Sequence, residues 1–272
     1  MLKQRRRSRA RSIIPSLFTM MNLFSGFIAI TSAFSGKDPA GGDYIRAGWW
    51  IVCGGIFDML DGIMARLTKT SSEFGVELDS LADVVTFGVA PSAILYKAFF
   101  HQFVGTGLLI SALPAICGAI RLARFNVQLV GFDKDYFRGL PIPSAAILII
   151  SYVMFYHVNL PMADRMNDPL MWVVTIGASL MMVSTVKYDV VPKPSKREIK
   201  AHPLKFGLIF VGIVLVIVTK GKAMFPLFVL FVVNGIVRSL YHRVRRFLSQ
   251  RRAISLLDEE ELDREDERTF GG

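Results

Sequence analysis

The chain reads as an all-α, polytopic membrane bundle of about eight transmembrane helices. Three observations lead there. Of its 272 residues, 52% are hydrophobic and the mean hydropathy is +0.44, where a soluble domain of this length sits below zero. The apolar residues come in blocks of about twenty, the length that crosses a hydrocarbon core about 30 Å thick. The charged residues gather at the ends of these blocks and in the short segments between them.

The elements follow in chain order. Residues 1–12 form a basic N-terminal segment carrying Lys3, Arg5, Arg6, Arg7, Arg9 and Arg11. The first block, 13–34, is too long and too rich in Asn, Ser and Gly for a cleaved leader, and reads as a retained helix. Further spans are expected at 44–67, 73–99, 104–125, 139–158, 169–188, 204–219 and 223–242. The connections are short and hold Gly, Pro, Asp and Lys, as loops do. The spans thus make one transmembrane domain, 13–242, followed by a charged tail, 243–272. From Asp258 to Arg268 this tail is acidic with interspersed arginines, the composition of a solvated segment.

The net charge of +10 would suggest nucleic acid in a soluble protein. Here its placement at helix ends points to membrane topology and anionic headgroups, and no nucleic-acid partner is expected. With eight spans both termini share a side. That side also holds Lys134, Arg138, Lys193, Lys196, Arg197, Lys200, Arg243, Arg245, Arg246, Arg251 and Arg252. The opposite loops hold mainly Lys37, Arg165, Lys220 and Lys222, so the basic side is read as cytoplasmic, in a bacterial cytoplasmic membrane. Cys53 and Cys117 both lie in apolar blocks without a nearby cysteine, which excludes a disulfide framework and a thiolate metal cluster.

Spans two and three carry Asp58, Asp61, Asp79 and Asp83, with Arg66 and Glu77. An ionisable residue at such depth costs at least about 2.5–3.5 kcal/mol unless it is paired, hydrated or metal-bound. Asp58 and Asp61 stand at i and i+3, and Asp79 and Asp83 at i and i+4, so each pair shares a helix face. The short polar link from Lys69 to Glu73 makes the two helices antiparallel neighbours, with both pairs towards the cytoplasmic end. Carboxylates suit hard cations such as Mg²⁺ or Mn²⁺, and four negative charges balance two divalent ions. Gly62 and Ala65 lie within about 40° of Asp58 around the helix, and Gly75 is one turn before Asp79. Residues this small admit a large polar ligand to the backbone, or else serve a plain helix–helix contact. Arg66 offers a fork of donors to a diphosphate.

The full pattern is Asp58-x2-Asp61-Gly62-x2-Ala65-Arg66-x8-Gly75-x3-Asp79-x3-Asp83, eight fixed residues over 26 positions. It resembles the signature of the CDP-alcohol phosphotransferase family at every position. The resemblance implies a six-helix family core, here with two further C-terminal helices. It implies that Asp58, Asp61 and Asp79 are metal ligands, and that Asp83 both contacts metal and acts as the catalytic base. It also implies that Gly62, Ala65, Arg66 and Gly75 line the pocket for the CDP-lipid.

Further segments are similar to the branch of the family whose acceptor is L-serine. They are Ile14–Asn22 with Gly26, Phe87–Pro91, Arg121–Asn126 and Phe137–Pro143. Ser16 stands where the family commonly has Asn, while Thr19 and Asn22 remain nucleotide candidates. The reaction implied joins CDP-diacylglycerol and L-serine to give phosphatidylserine and CMP, in a homodimer. Serine carries a carboxylate, and a desolvated carboxylate calls for arginine. Arg121, Arg124, Asn126 and Arg138, expected near the end of span four and the following loop, are the candidates for it. Arg138 is equally explained as a positive-inside residue. Glycerol 3-phosphate or an inositol phosphate is the alternative acceptor, and a cation transporter the alternative from another class.

Overall fold

A computed structural model describes residues 2–36, 42–68, 73–129, 137–188, 203–241 and 244–245. The chain divides into two units, Met1–Leu230 and Phe231–Gly272. In the first, α1 (Leu2–Phe34) and α2 (Tyr44–Thr68) form a long hairpin. Next come α3 (Glu73–Asp83), a π-helical turn (Val84–Val89) and α4 (Ala90–Ala98), which together make one span, Phe74–Ala98. They are followed by α5 (Thr106–Leu129), α6 (Ile142–Phe155), the short α7 (Met162–Met166), α8 (Pro169–Val183) and α9 (Pro203–Val218). A final apolar helix, α10 (Met224–Tyr241), begins in the first unit. In the second unit its described turns expose Val233, Val237 and Leu240, the pattern of a lipid-facing surface.

The all-α expectation holds, and the span count resolves into two kinds of helix. Among the described residues six helices are long and apolar enough to cross a membrane, while Pro169–Val183 and Phe206–Val218 are shorter. The sixth expected span, 169–188, stops early because Ser184 turns to an extended backbone. The chain then enters β2 (Lys187–Tyr188), which pairs antiparallel with β1 (Phe137–Arg138). Two other bounds differ from the expectation. α1 starts at Leu2, so the basic N-terminal residues are helical. α5 runs on to Leu129 rather than ending at 125, and Arg121 stands within its last turns, as expected. The tail 246–272 lies outside the described residues.

The core sits where the span containing the π turn meets α5, α6 and α8. Phe87, Ile94, Leu95, Ile142, Ile149 and Met154 are fully buried there. Pro114 inside α5 cannot donate to the preceding turn, and the amide after it, Ala115 N–H, bonds Ser92 Oγ of α4 at 3.2 Å. A Cβ at Gly88 would come within 3.2 Å of Ala115 Cα, so α5 lies directly against the π turn.

The bundle end reached by the C-termini of α4 and α6 is closed by aromatic rings and one buried polar knot. Phe99, Phe100, Phe103 and Trp172 meet edge to face, with Phe100 and Trp172 centroids 5.0 Å apart. Asp168 caps α8 through Leu170 N–H at 3.0 Å, and also accepts from Tyr152 Oη and meets His157 Nδ1, both at 2.8 Å. The α9–α10 turn docks on the same end. There Gly221 adopts φ +93, and a Cβ would strike the Phe155 ring at 2.3 Å, so only glycine fits. Asp168→Ala would strand three donors in a dry site at about 1–3 kcal/mol each. We expect it to lower the unfolding midpoint of the detergent-solubilised protein by several degrees, and Asp168→Asn to lower it less. An unchanged midpoint in Asp168→Ala would show that the knot adds nothing to stability.

Candidate active site

The four aspartates reach one region because of where they stand relative to the α2–α3 link. Asp58 lies ten residues before the end of α2, and Asp83 ten residues after the start of α3. At 1.5 Å per residue both stand about 15 Å into the bundle. Asp61 and Asp79 are correspondingly about 9–10 Å in. Sequence spacing therefore matches their heights before any packing is considered.

Packing supplies what spacing did not. α2 and α3 were expected as direct neighbours, but they do not pack closely on one another; α1 runs along both. An aspartate of each helix finds a hydrogen-bond donor on α1. Thr19 Oγ1 donates to Asp61 Oδ2. Asn22 Nδ2 donates to Asp83 Oδ1 at 3.0 Å. Thr19 and Asn22 are buried, so a candidate nucleotide-binding pair also serves as the structural partner of two aspartates.

Across the space left between α2 and α3, Asp58, Asp79 and Asp83 each offer a carboxylate oxygen, all within 4.8 Å of one another. Asp61 lies outside this trio, turned to Thr19. Gly62, Ala65 and Gly75 are half-buried on the same helices. The side chains of Arg66 and Arg138 lie outside the described residues.

Arg121 reaches the site from α5. It is buried, close enough to Asp83 for their charges to interact. Of the other acceptor candidates, Arg124 and Asn126 are bonded elsewhere. Arg124 is exposed, and its Nη1 donates to Val183 O at the end of α8. Asn126 Nδ2 donates to Ser80 Oγ at 2.9 Å, tying α5 to α3. Of the three candidates on α5, Arg121 is the buried one, because the helix continues past Phe125 and turns successive residues to different faces.

Among the described residues, four buried side-chain polar atoms have no hydrogen-bond partner, and three of them line this region. They are Asp79 Oδ1, Asn22 Oδ1 and Arg121 Nε. Buried polar atoms are normally satisfied, so such a concentration marks a place built for a ligand. An oxygen-only donor set with an orphaned carboxylate oxygen fits a hard divalent cation. The site as a whole combines cation ligands, a buried arginine and small residues, which suits a phosphate-bearing substrate.

Comparison with known proteins agrees. The profile of the CDP-alcohol phosphatidyltransferase family matches residues 12–186, a segment that contains Thr19, Asn22, the four aspartates, Arg121, Arg124, Asn126 and Arg138. The chain belongs to this family. Divalent-metal chemistry is general among its members, and among the described residues the acidic trio is a group that could hold a metal. The protein is similar over 236 residues, at 37% identity, to the CDP-diacylglycerol–serine O-phosphatidyltransferase of Helicobacter pylori, covering 86% of this chain and 93% of the relative. The enzyme of the same name from Methanocaldococcus jannaschii is 36% identical over 202 residues, covering 74% of this chain and 84% of the relative. An archaetidylserine synthase from Methanothermobacter thermautotrophicus is 36% identical over 178 residues, 64% and 69% of the two chains. Together with six long apolar helices, membership places the chain among integral membrane enzymes.

Two features of this family member were not read from the sequence. Thr86, fully buried, donates from Oγ1 to Asn22 O at 2.9 Å. The π turn that carries it begins directly after Asp83. Threonine in an apolar run gives no signal of its own, and a π turn has no compositional mark. The one available hint was the Thr86-Phe87-Gly88 sequence, where a small residue interrupts a β-branched run.

Proposed function

We propose that the chain transfers the phosphatidyl group of CDP-diacylglycerol to the hydroxyl of L-serine, giving phosphatidylserine and CMP. The observation that carries the chemistry is the carboxylate trio of Asp58, Asp79 and Asp83 with its orphaned oxygen, lying inside the family segment. The choice of serine is supported by the names of relatives 36–37% identical over most of their length.

Asp58, Asp79 and Asp83, with Asp61 alongside, would hold Mg²⁺ or Mn²⁺, and four carboxylates suit two ions. When bound, the cations supply charge neutralisation at the diphosphate. Asp83 takes the proton of the serine hydroxyl as its oxygen attacks the phosphatidyl phosphorus. The P–O bond to CMP then breaks, and CMP leaves with that bridging oxygen. Asn22 orients Asp83 for this through Nδ2. Gly62, Ala65, Arg66 and Gly75 with Thr19 form the walls against the CDP moiety. Arg121 receives the serine carboxylate, and Arg124, Asn126 and Arg138 serve the rim and support. The basic-residue excess supports a cytoplasmic site, with both termini on that side of a bacterial cytoplasmic membrane. Domain 13–242 would be the catalytic unit, acting as a homodimer by family likeness.

The test follows CMP release by purified enzyme with CDP-diacylglycerol and a panel of acceptors. L-Serine should be used well. Ethanolamine, glycerol 3-phosphate and inositol phosphate should be poor, the first because it lacks the carboxylate. Arg121→Ala should raise the KM for serine more than tenfold, since losing a charge-assisted contact in a desolvated pocket costs on the order of 2–5 kcal/mol. CDP-lipid affinity should change little. Equal use of serine and ethanolamine would remove the carboxylate pocket, and preference for glycerol 3-phosphate would reassign the acceptor.

A further inference from the structure

Thr86 stands three residues beyond Asp83, inside the π turn Val84–Val89, where Ala90 N–H bonds Val85 O five residues back. Such wide turns inside α-helices are rare and commonly mark functional sites, because the extra residue re-aims the side chains after it. Here the turn leaves Asp83 facing the carboxylate site and sends Thr86 into the contact with α1. Asn22 is held twice by this one stretch of chain. Its Nδ2 donates to Asp83 Oδ1 at 3.0 Å, and its carbonyl accepts from Thr86 Oγ1 at 2.9 Å. Asn22 and Thr86 are both fully buried, so water does not compete for either bond.

The surrounding backbone is shaped to this arrangement. A Cβ on Gly26 would lie 2.6 Å from Thr86 Oγ1 and 2.8 Å from Thr86 Cα, so α1 and the π turn touch backbone to backbone. A Cβ on Gly54 of α2 would lie 2.6 Å from Thr86 Cγ2 and 3.0 Å from Asn22 Oδ1. Two helices are thus cut back around one threonine. We infer that Thr86 is a positioning residue for Asp83, acting through Asn22: its hydroxyl fixes the α1 backbone from which the carboxamide reaches the carboxylate. The inference rests on the reading of Asp83 as the base.

The experiment compares Thr86→Val, Thr86→Ser and Asp83→Asn for kcat, for KM towards CDP-diacylglycerol and serine, and for unfolding midpoint. Valine keeps the shape and loses the donor. A small displacement of a reacting group can cost up to 10²-fold, so kcat should fall tenfold or more in Thr86→Val. Both KM values should stay within threefold and the midpoint within a few degrees, and Thr86→Ser should keep most of the rate. A second pair keeps the test decisive if valine prevents folding. Gly54→Ala pushes hardest on Thr86 Cγ2, at 2.6 Å against 3.0 Å for Asn22 Oδ1, and serine lacks that methyl, so its loss of kcat should be partly relieved in Gly54→Ala combined with Thr86→Ser. A Thr86→Val rate within twofold of wild type overturns the inference, as does a serine variant no better than valine or an unrelieved double variant. A normal rate in Asp83→Asn would instead remove the base assignment itself.

Discussion

Asp83→Asn is expected to lower CMP release by about 10²–10⁴-fold, the range lost when a positioned base is removed. The substitution keeps shape and hydrogen-bonding length, and Asn22 can still pair with the new carboxamide oxygen. Helix packing around the π turn should therefore survive. What goes is the buried carboxylate of the trio, bonded to Asn22 of α1 and close enough to Arg121 for their charges to interact. Nucleotide affinity should fall modestly, because Asp58 and Asp79 remain. Asp58→Asn and Asp79→Asn should behave differently and lose metal-dependent CDP-lipid binding together with turnover. The comparison needs CMP-release kinetics and a binding measurement on the same preparations. Asp83→Asn turning over near the wild-type rate would show that another group takes the proton.

Chelation should have an equally large effect. EDTA is expected to reduce turnover to background, and Mg²⁺ or Mn²⁺ to restore it. Three carboxylate oxygens within 4.8 Å repel one another by roughly 3–4 kcal/mol per pair at an effective dielectric of 20. Among the described side chains, Arg121 is the cation that interacts with Asp83. One guanidinium does not balance four aspartates, whereas divalent cations do. The folded protein should accordingly gain stability on metal addition. A ligand at 100 times its Kd adds about 2.7 kcal/mol, which a thermal scan in detergent resolves. The same scan on Asp58→Asn should show a smaller gain. Full turnover in EDTA with no metal-induced shift would rule out the metal assignment.

The sequence by itself determined the class of fold, the acidic constellation and the chemistry it belongs to. Blocks of twenty apolar residues have few alternatives in a membrane, since backbone groups there must bond within their own helix. Asp58, Asp61, Asp79 and Asp83 were legible for the same reason: burying carboxylates among apolar residues is costly enough that spacing alone betrays a site. Helix ends were less legible. Arg121 and Arg124 looked alike as two arginines near the end of a span, and only the continuation of α5 to Leu129 separated an inward residue from one that caps α8. Tertiary structure also decided that α1, rather than direct α2–α3 packing, holds the aspartates in place. It set Asp61 apart from the trio and put a π turn and Thr86 behind Asp83. These depend on which neutral donors meet which carboxylates across helices far apart in sequence. Local periodicity carries no record of such meetings, because Thr19, Asn22 and Thr86 acquire their roles only from what the fold brings against them.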